Sequence, residues 1–231
     1  MSATIRRTFD LWGSTVGKKI VMALSGILLI AFVVGHMIGN LKVYQGRATF
    51  NHYAEGLRTF GAPFLGYGQA LWLTRLVLLG AVLIHIVAAA QLTVRSRKAR
   101  AVGYRRYDGD MAFSYASRTM VWGGLIILAF VVYHLLHLTF GSAHPDFHAG
   151  DAYHNFVRGF QSWPVSLAYS AAMIPLGLHL YHGFWSMLQT LGADSGRRGR
   201  WRRPVAAALA LVVVLGNISF PVAVLIGVVR L

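Results

Sequence analysis

The chain has no cysteine. Disulfides, thiolate-held iron–sulfur clusters and covalent attachment through C-x-x-C-H are therefore excluded within it, and any prosthetic group must be held non-covalently. Acidic residues are scarce too, with 7 Asp and Glu against 22 Lys and Arg, for a net charge of +15. None of the seven falls in a long apolar run, so no carboxylate-lined ion or proton path is expected at membrane depth. A cleavable leader is also not expected, because the first apolar run is long and has no small-residue cleavage pattern before Lys42.

What the chain has in abundance is apolar sequence, at 56% of its residues. It falls into the stretches Ile20–Ile38, Leu71–Val94, Thr119–Gly141, Val165–Leu191 and Pro204–Val229. Each meets the roughly 18 residues needed to cross a hydrocarbon core of about 30 Å. The expectation is an all-α integral membrane protein forming a single domain over 1–231, with five transmembrane helices at about 20–40, 69–94, 119–141, 164–191 and 204–229.

The basic residues fall on one side of this arrangement. Arg6, Arg7, Lys18 and Lys19 precede the first span. Arg95, Arg97, Lys98, Arg100, Arg105, Arg106 and Arg118 lie between the second and third, and Arg197, Arg198, Arg200, Arg202 and Arg203 between the fourth and fifth. The positive-inside bias then predicts a cytoplasmic N-terminus and an external C-terminus in a cell membrane, and accounts for the charge without nucleic acid. The same face could dock a soluble partner or anionic lipid.

Between the spans, residues 49–58 of the first external loop have the apolar spacing of a short interfacial helix. The second external loop, 142–164, holds His144, His148 and His154 with Asp146 and Asp151, and ends in Ser162-Trp163-Pro164, a helix-start signal in an aromatic belt. Solvated loop histidines are the plain reading of these and of His52. Proton delivery to an external site is the sharper one. Pro175 should loosen or kink the fourth span.

Four of the five spans carry histidine, and the fifth carries none. An ionisable ring in hydrocarbon is costly and functional by default, so four on separate spans point to ligands for something buried between the helices. A rise of about 1.5 Å per residue puts His36 and His134 roughly 6–9 Å external of their span midpoints and His85 and His182 roughly 4–8 Å cytoplasmic. The segments 31–36 and 129–134 match at five of six positions at an offset of 98, through duplication or through chance among common residues.

A repeat related by an axis along the membrane normal would set His36 against His134 and His85 against His182. Two facing imidazoles at one depth form the cage of a six-coordinate haem, which leaves no open position and favours electron transfer. The first four helices would thus form a haem-binding bundle. His137 and His179 each lie three residues from a proposed ligand on a nearby face, so His134 against His137 and His182 against His179 stay open. Gly35, Gly39, Ala88, Ala89, Ala90 and Gly183 leave room beside the ligands, or merely pack helices. Arg75, in the external half of the second span, is a candidate for outer propionates or for snorkelling, and Ser117 and Arg118 are candidates at the cytoplasmic level.

Gly26, His36-Met37-Ile38-Gly39-Asn40-Leu41, Ser117-Arg118-Thr119-Met120, His179-Leu180-Tyr181-His182-Gly183 and Gln189-Thr190-Leu191-Gly192 occur in that order along the chain. With these motifs the chain resembles, over nearly its whole length, the single-chain, five-helix, di-haem cytochrome b subunit of succinate:quinone oxidoreductases (succinate dehydrogenase and fumarate reductase, complex II). The resemblance implies an anchor for a flavoprotein and an iron–sulfur subunit that dock on the cytoplasmic face and carry the dicarboxylate chemistry. It also implies two haem b groups, held by His36/His134 distally and His85/His182 proximally, and menaquinone as substrate. Some fumarate-reducing relatives have a glutamate two residues before the fourth ligand; Leu180 stands there, which tilts the expectation toward succinate oxidation.

Polarity and depth make Asn40, Asn51, His52, Tyr53 and Glu55 the candidates for an external quinone site and Ser25, His179, Trp185 and Gln189 those for a cytoplasmic one. The rival readings are another di-haem b-type respiratory cytochrome, a histidine-lined metal or proton transporter, and a membrane di-iron oxygenase. The one-per-helix histidines at two levels, without carboxylates at depth, weigh against them.

Overall fold

The structure is a computed structural model that describes residues 12–99, 111–193 and 201–231, with side chains described outside 111–118. Among the described residues every regular element is helical. Helix α1 (Thr15–Asn40) starts at Ser14, whose hydroxyl accepts from the Gly17 amide at 2.8 Å, one of the donors a helix start leaves unpaired. A 3₁₀ turn (Leu41–Gln45) leads into α2 (Arg47–Thr59), the short helix expected over 49–58.

Helix α3 (Gln69–Lys98) ends on Arg95, Arg97 and Lys98, cations that suit the negative end of a helix dipole. Helix α4 (Met111–His134) passes directly into a π-helical turn (Leu135–Thr139). Helix α5 (Ala152–Gln161) is capped by Asp151, which accepts from the His154 amide at 3.0 Å. Helix α6 (Trp163–Thr190) opens at Ser162 with proline in its first turn and holds Pro175 within it; α7 (Arg202–Leu225) completes the set.

Four segments are long and apolar enough to cross a membrane: Thr15–Gln45, Gln69–Lys98, Thr119–Thr139 and Arg202–Leu225. Only 6 to 33% of their most apolar windows is buried, so most of that apolar surface faces outward, as a lipid-facing surface requires. The length of α6 matches the others, but its serines, tyrosines, histidines and glycines dilute its apolar character, and it is not among the four.

The most extensive packing joins α6 to α7, α1 to α3 and α4 to α6, with α1 also meeting α6. The densest core lies at one end of the bundle. There Tyr153, Phe156, Val157 and Phe160 of α5 pack with Met37, Val43, Phe50, Tyr169 and Phe220. Helix α5 falls in the stretch 142–164 expected as a loop; its signal was present in Asp151 as a cap and in the i, i+3, i+4, i+7 spacing of those four apolar residues. Asn51 of α2 donates to Asp151 at 2.8 Å and accepts from the Tyr153 amide at 2.8 Å, so the two loop regions close the same end of the bundle.

Candidate functional site

His36 on α1 and His134 on α4 meet across the bundle with ring centroids 5.9 Å apart and planes at 86°. Phe32, one turn earlier on α1, stacks on His36 at 5.4 Å, and Phe130 lies beside His134 at 6.0 Å. The Tyr169 hydroxyl of α6 lies 3.3 Å from His134 Nδ1 and 2.9 Å from His137 Nδ1. A phenol oxygen can both accept and donate, so one hydroxyl serves both nitrogens, and it lies closer to His137 than to His134.

The surroundings of those two rings differ as well. His137, in the π turn, has no exposed surface and is sandwiched between Tyr133 at 5.5 Å and His144 at 4.9 Å. Its Nε2 is buried with no hydrogen-bond partner. Gly159 makes room for it, since a Cβ there would stand 2.7 Å from His137 Cε1. His137 is therefore enclosed by the loop end, while His134 meets His36.

At the second level His85 on α3 lies 6.2 Å from His179 on α6, ring to ring, at 55°. Ser25 Oγ sits 3.1 Å from His85 Nδ1 and also donates to the Val21 carbonyl at 2.8 Å. The His182 ring, the other candidate partner of His85, neighbours Trp185 at 6.4 Å. Two glycines make room for the rings that do pair. A Cβ at Gly26 would touch His85 Cε1 at 3.6 Å, and one at Gly124 would touch His179 Cε1 at 3.9 Å. Gly26 and Gly124 are themselves 98 residues apart, the offset of the 31–36 and 129–134 match, so in contact terms His179 is the counterpart of His85.

Imidazoles bound on opposite sides of one metal through nitrogen bonds of ~2 Å stand about 6 Å apart between centroids. Both observed pairs have that spacing. A Cβ at Gly35 or Gly183 would meet nothing within 4 Å, and His36 is exposed. Paired imidazoles at this spacing and a cysteine-free chain fit a non-covalent haem at each level.

The other candidate site residues have these surroundings. Arg75 lays its guanidinium over Trp72 on its own helix, 4.9 Å from the ring centre, in the manner of an interfacial stack. Ser117 and Arg118 lie outside the described side chains. Asn40 ends α1 half-buried. Asn51 is engaged on both sides of its amide as a loop clamp, and Tyr53 fills the space that a side chain at Gly39 would need. Glu55 accepts from Tyr67 at 3.1 Å and pairs with Arg58 at 3.7 Å. His52 is exposed.

Trp185 lies under the guanidinium groups of Arg202 and Arg203, each 5.8 Å from its ring centre. Between α4 and α6 an apolar groove of about 570 Å3 runs along Gly123, Ala129, Ala168, Ala172 and Pro175 to His179. The features that sequence reasoning passed over are Tyr169, Gly124 and the π turn; a tyrosine hydroxyl within a span was the available signal for the first.

No family model, curated protein or solved structure matches this chain.

Proposed function

We propose that this chain is the membrane anchor and electron-transfer subunit of a succinate:quinone oxidoreductase, spanning the membrane five times with α6 as the fourth span and the N-terminus cytoplasmic. The observation that carries this reading is the pair of cross-bundle imidazole contacts, 5.9 Å at His36/His134 and 6.2 Å at His85/His179. In this reading His36 and His134 hold one haem b, and His85 and His179 hold the other. Bound there, the two groups would supply one-electron transfer through the bilayer, between an iron–sulfur partner and menaquinone.

The chain's own residues have defined tasks. Tyr169 orients His134 through Nδ1 and leaves its other nitrogen for the metal, the usual arrangement around a ligating histidine. Ser25 does the same for His85. Phe32 and Phe130 flank the rings of the outer pair. Arg95, Arg97 and Lys98 at the end of α3 lie on the face where the flavoprotein and iron–sulfur subunits would dock. The apolar groove ending at His179 suits an isoprenoid or acyl tail.

The deciding experiment is a reduced-minus-oxidised spectrum of the purified chain with pyridine haemochrome quantification. Two b haems per polypeptide are expected. No haem, in membranes that assemble other b cytochromes normally, would overturn the reading in favour of a histidine-lined transporter.

A further inference from the structure

We propose that Asp146, His148 and His154 form a binding site for a zinc-like divalent metal ion at the loop-capped end of the bundle, separate from the membrane histidines. His148 Nε2 lies 3.2 Å from Asp146 Oδ1, and His154 Nε2 lies 3.1 Å from Asp146 Oδ2. One donor atom from each residue falls within 4.8 Å of the other two. Ligands of a tetrahedral zinc, at bonds of ~2.0–2.2 Å, stand about 3.3–3.5 Å from one another, and each nitrogen–carboxylate separation is close to that spacing, His148 through Oδ1 and His154 through Oδ2. The two imidazoles are stacked 4.0 Å apart with planes at 4°, and present their Nε2 atoms to the same carboxylate.

The backbone behind each ligand is pinned. The Asp146 amide donates to His144 Nδ1 at 3.0 Å, and the His154 amide donates to Asp151 at 3.0 Å. Asn155, nearly fully buried, holds His148 from both sides: its Oδ1 accepts from the His148 amide at 2.7 Å and its Nδ2 donates to the His148 carbonyl at 2.7 Å. A site held within tenths of an ångström by a supporting shell is what metal affinity requires, and a casual surface cluster lacks it. Two imidazoles and one carboxylate select zinc, nickel or copper over calcium and magnesium. His148 is the most exposed of the three, which leaves a coordination position open to water.

The competitor is on the page. Arg158 Nε donates to Asp146 Oδ2 at 3.0 Å, while its other arm reaches Gln161 at 3.1 Å. Arg158 therefore occupies the same carboxylate oxygen that faces His154. Metal binding exchanges one cation for another, with Arg158 swinging to solvent and to Gln161. The bound ion then ties the 142–151 segment to α5 and stiffens the cap over the His36/His134 level.

The test uses the chain purified from membranes in detergent, with a histidine-free tag, stripped with chelator and titrated with zinc against a chromophoric competitor. Haem content is measured in parallel; the inference does not rest on the proposed function, and a haem-free chain would leave it standing. One tight site per chain is expected, weakened at least tenfold in Asp146→Asn and in His154→Ala. Arg158→Gln should tighten it several-fold, a change that a purely structural ion-pair network would not produce. Wild-type zinc binding equal to that of the Asp146→Asn/His148→Ala/His154→Ala triple variant would overturn the proposal. Unchanged affinity in folded Asp146→Asn, judged by its circular dichroism, would do so as well.

Discussion

His85 lies 6.2 Å from His179, ring centre to ring centre, and each of these two rings sits over a glycine of the neighbouring helix. This relationship separates two histidines on α6 that sequence alone left equivalent. His179→Ala is expected to remove one of the two b haems measured by pyridine haemochrome, while His182→Ala retains both. The reverse pattern would return the ligand role to His182.

Gly26 and Gly124 should tolerate alanine and reject leucine. The spacings of 3.6 and 3.9 Å to the histidine rings are ordinary contacts for a methyl group, whereas a longer branched side chain would have to displace the imidazole. Gly124→Leu is expected to cost about 1–3 kcal/mol as an overpacked site and to lower haem content at the inner level alone. Full haem content with unchanged thermal stability would contradict this.

Tyr169→Phe removes one hydroxyl and leaves two imidazole nitrogens without it. His137 is fully buried, so the loss should cost about 1–3 kcal/mol, the range for an orphaned buried polar group. Because His134 Nδ1 loses its partner too, redox titration should show a shifted midpoint for the His36/His134 haem and none for the other. A uniform shift in both would argue against a local positioning role.

Asp151 links α2 to α5. Burial alone would raise its carboxyl, but hydrogen bonds from Asn51, the His154 amide and Arg47 hold it at about 2. An unfolded aspartate titrates near ~3.9, so the folded group is depressed and its stabilisation is complete above that value. The contribution is lost as pH falls through about 2. Protection of the α5 amides, taken relative to the intrinsic exchange rate at each pH, should therefore fall below pH 4 in the wild type. Asp151→Asn should show faster exchange already at neutral pH, on the order of 1–2 kcal/mol of local opening, with a flattened acid limb.

The short helix α5 and the π turn after His134 show what becomes visible only with tertiary context. Tyr153, Phe156, Val157 and Phe160 have helical spacing, yet ten residues inside a polar, histidine-rich stretch read equally well as loop. What makes them a helix is the cap core, built with Phe50 of α2 and Phe220 of α7 from the other ends of the chain. The π turn has no local signature; it places His137 against Tyr169 and His144 by contacts made after the helices meet.

Sequence by itself determined where the long helices run, because hydrocarbon leaves each backbone hydrogen bond to be made within its own segment and so demands uninterrupted apolar runs. It also determined which long helices carry histidine and how far along each, since position along a helix follows from helical rise. Rotation of each helix about its axis was decided by packing. Residues three apart differ by only about 60° around a helix, so His179 and His182, or His134 and His137, share a face until a neighbour distinguishes them. Gly124 distinguishes the first pair by making room for His179, and Tyr169, with the closed wall of Tyr133, His144 and Gly159, distinguishes the second.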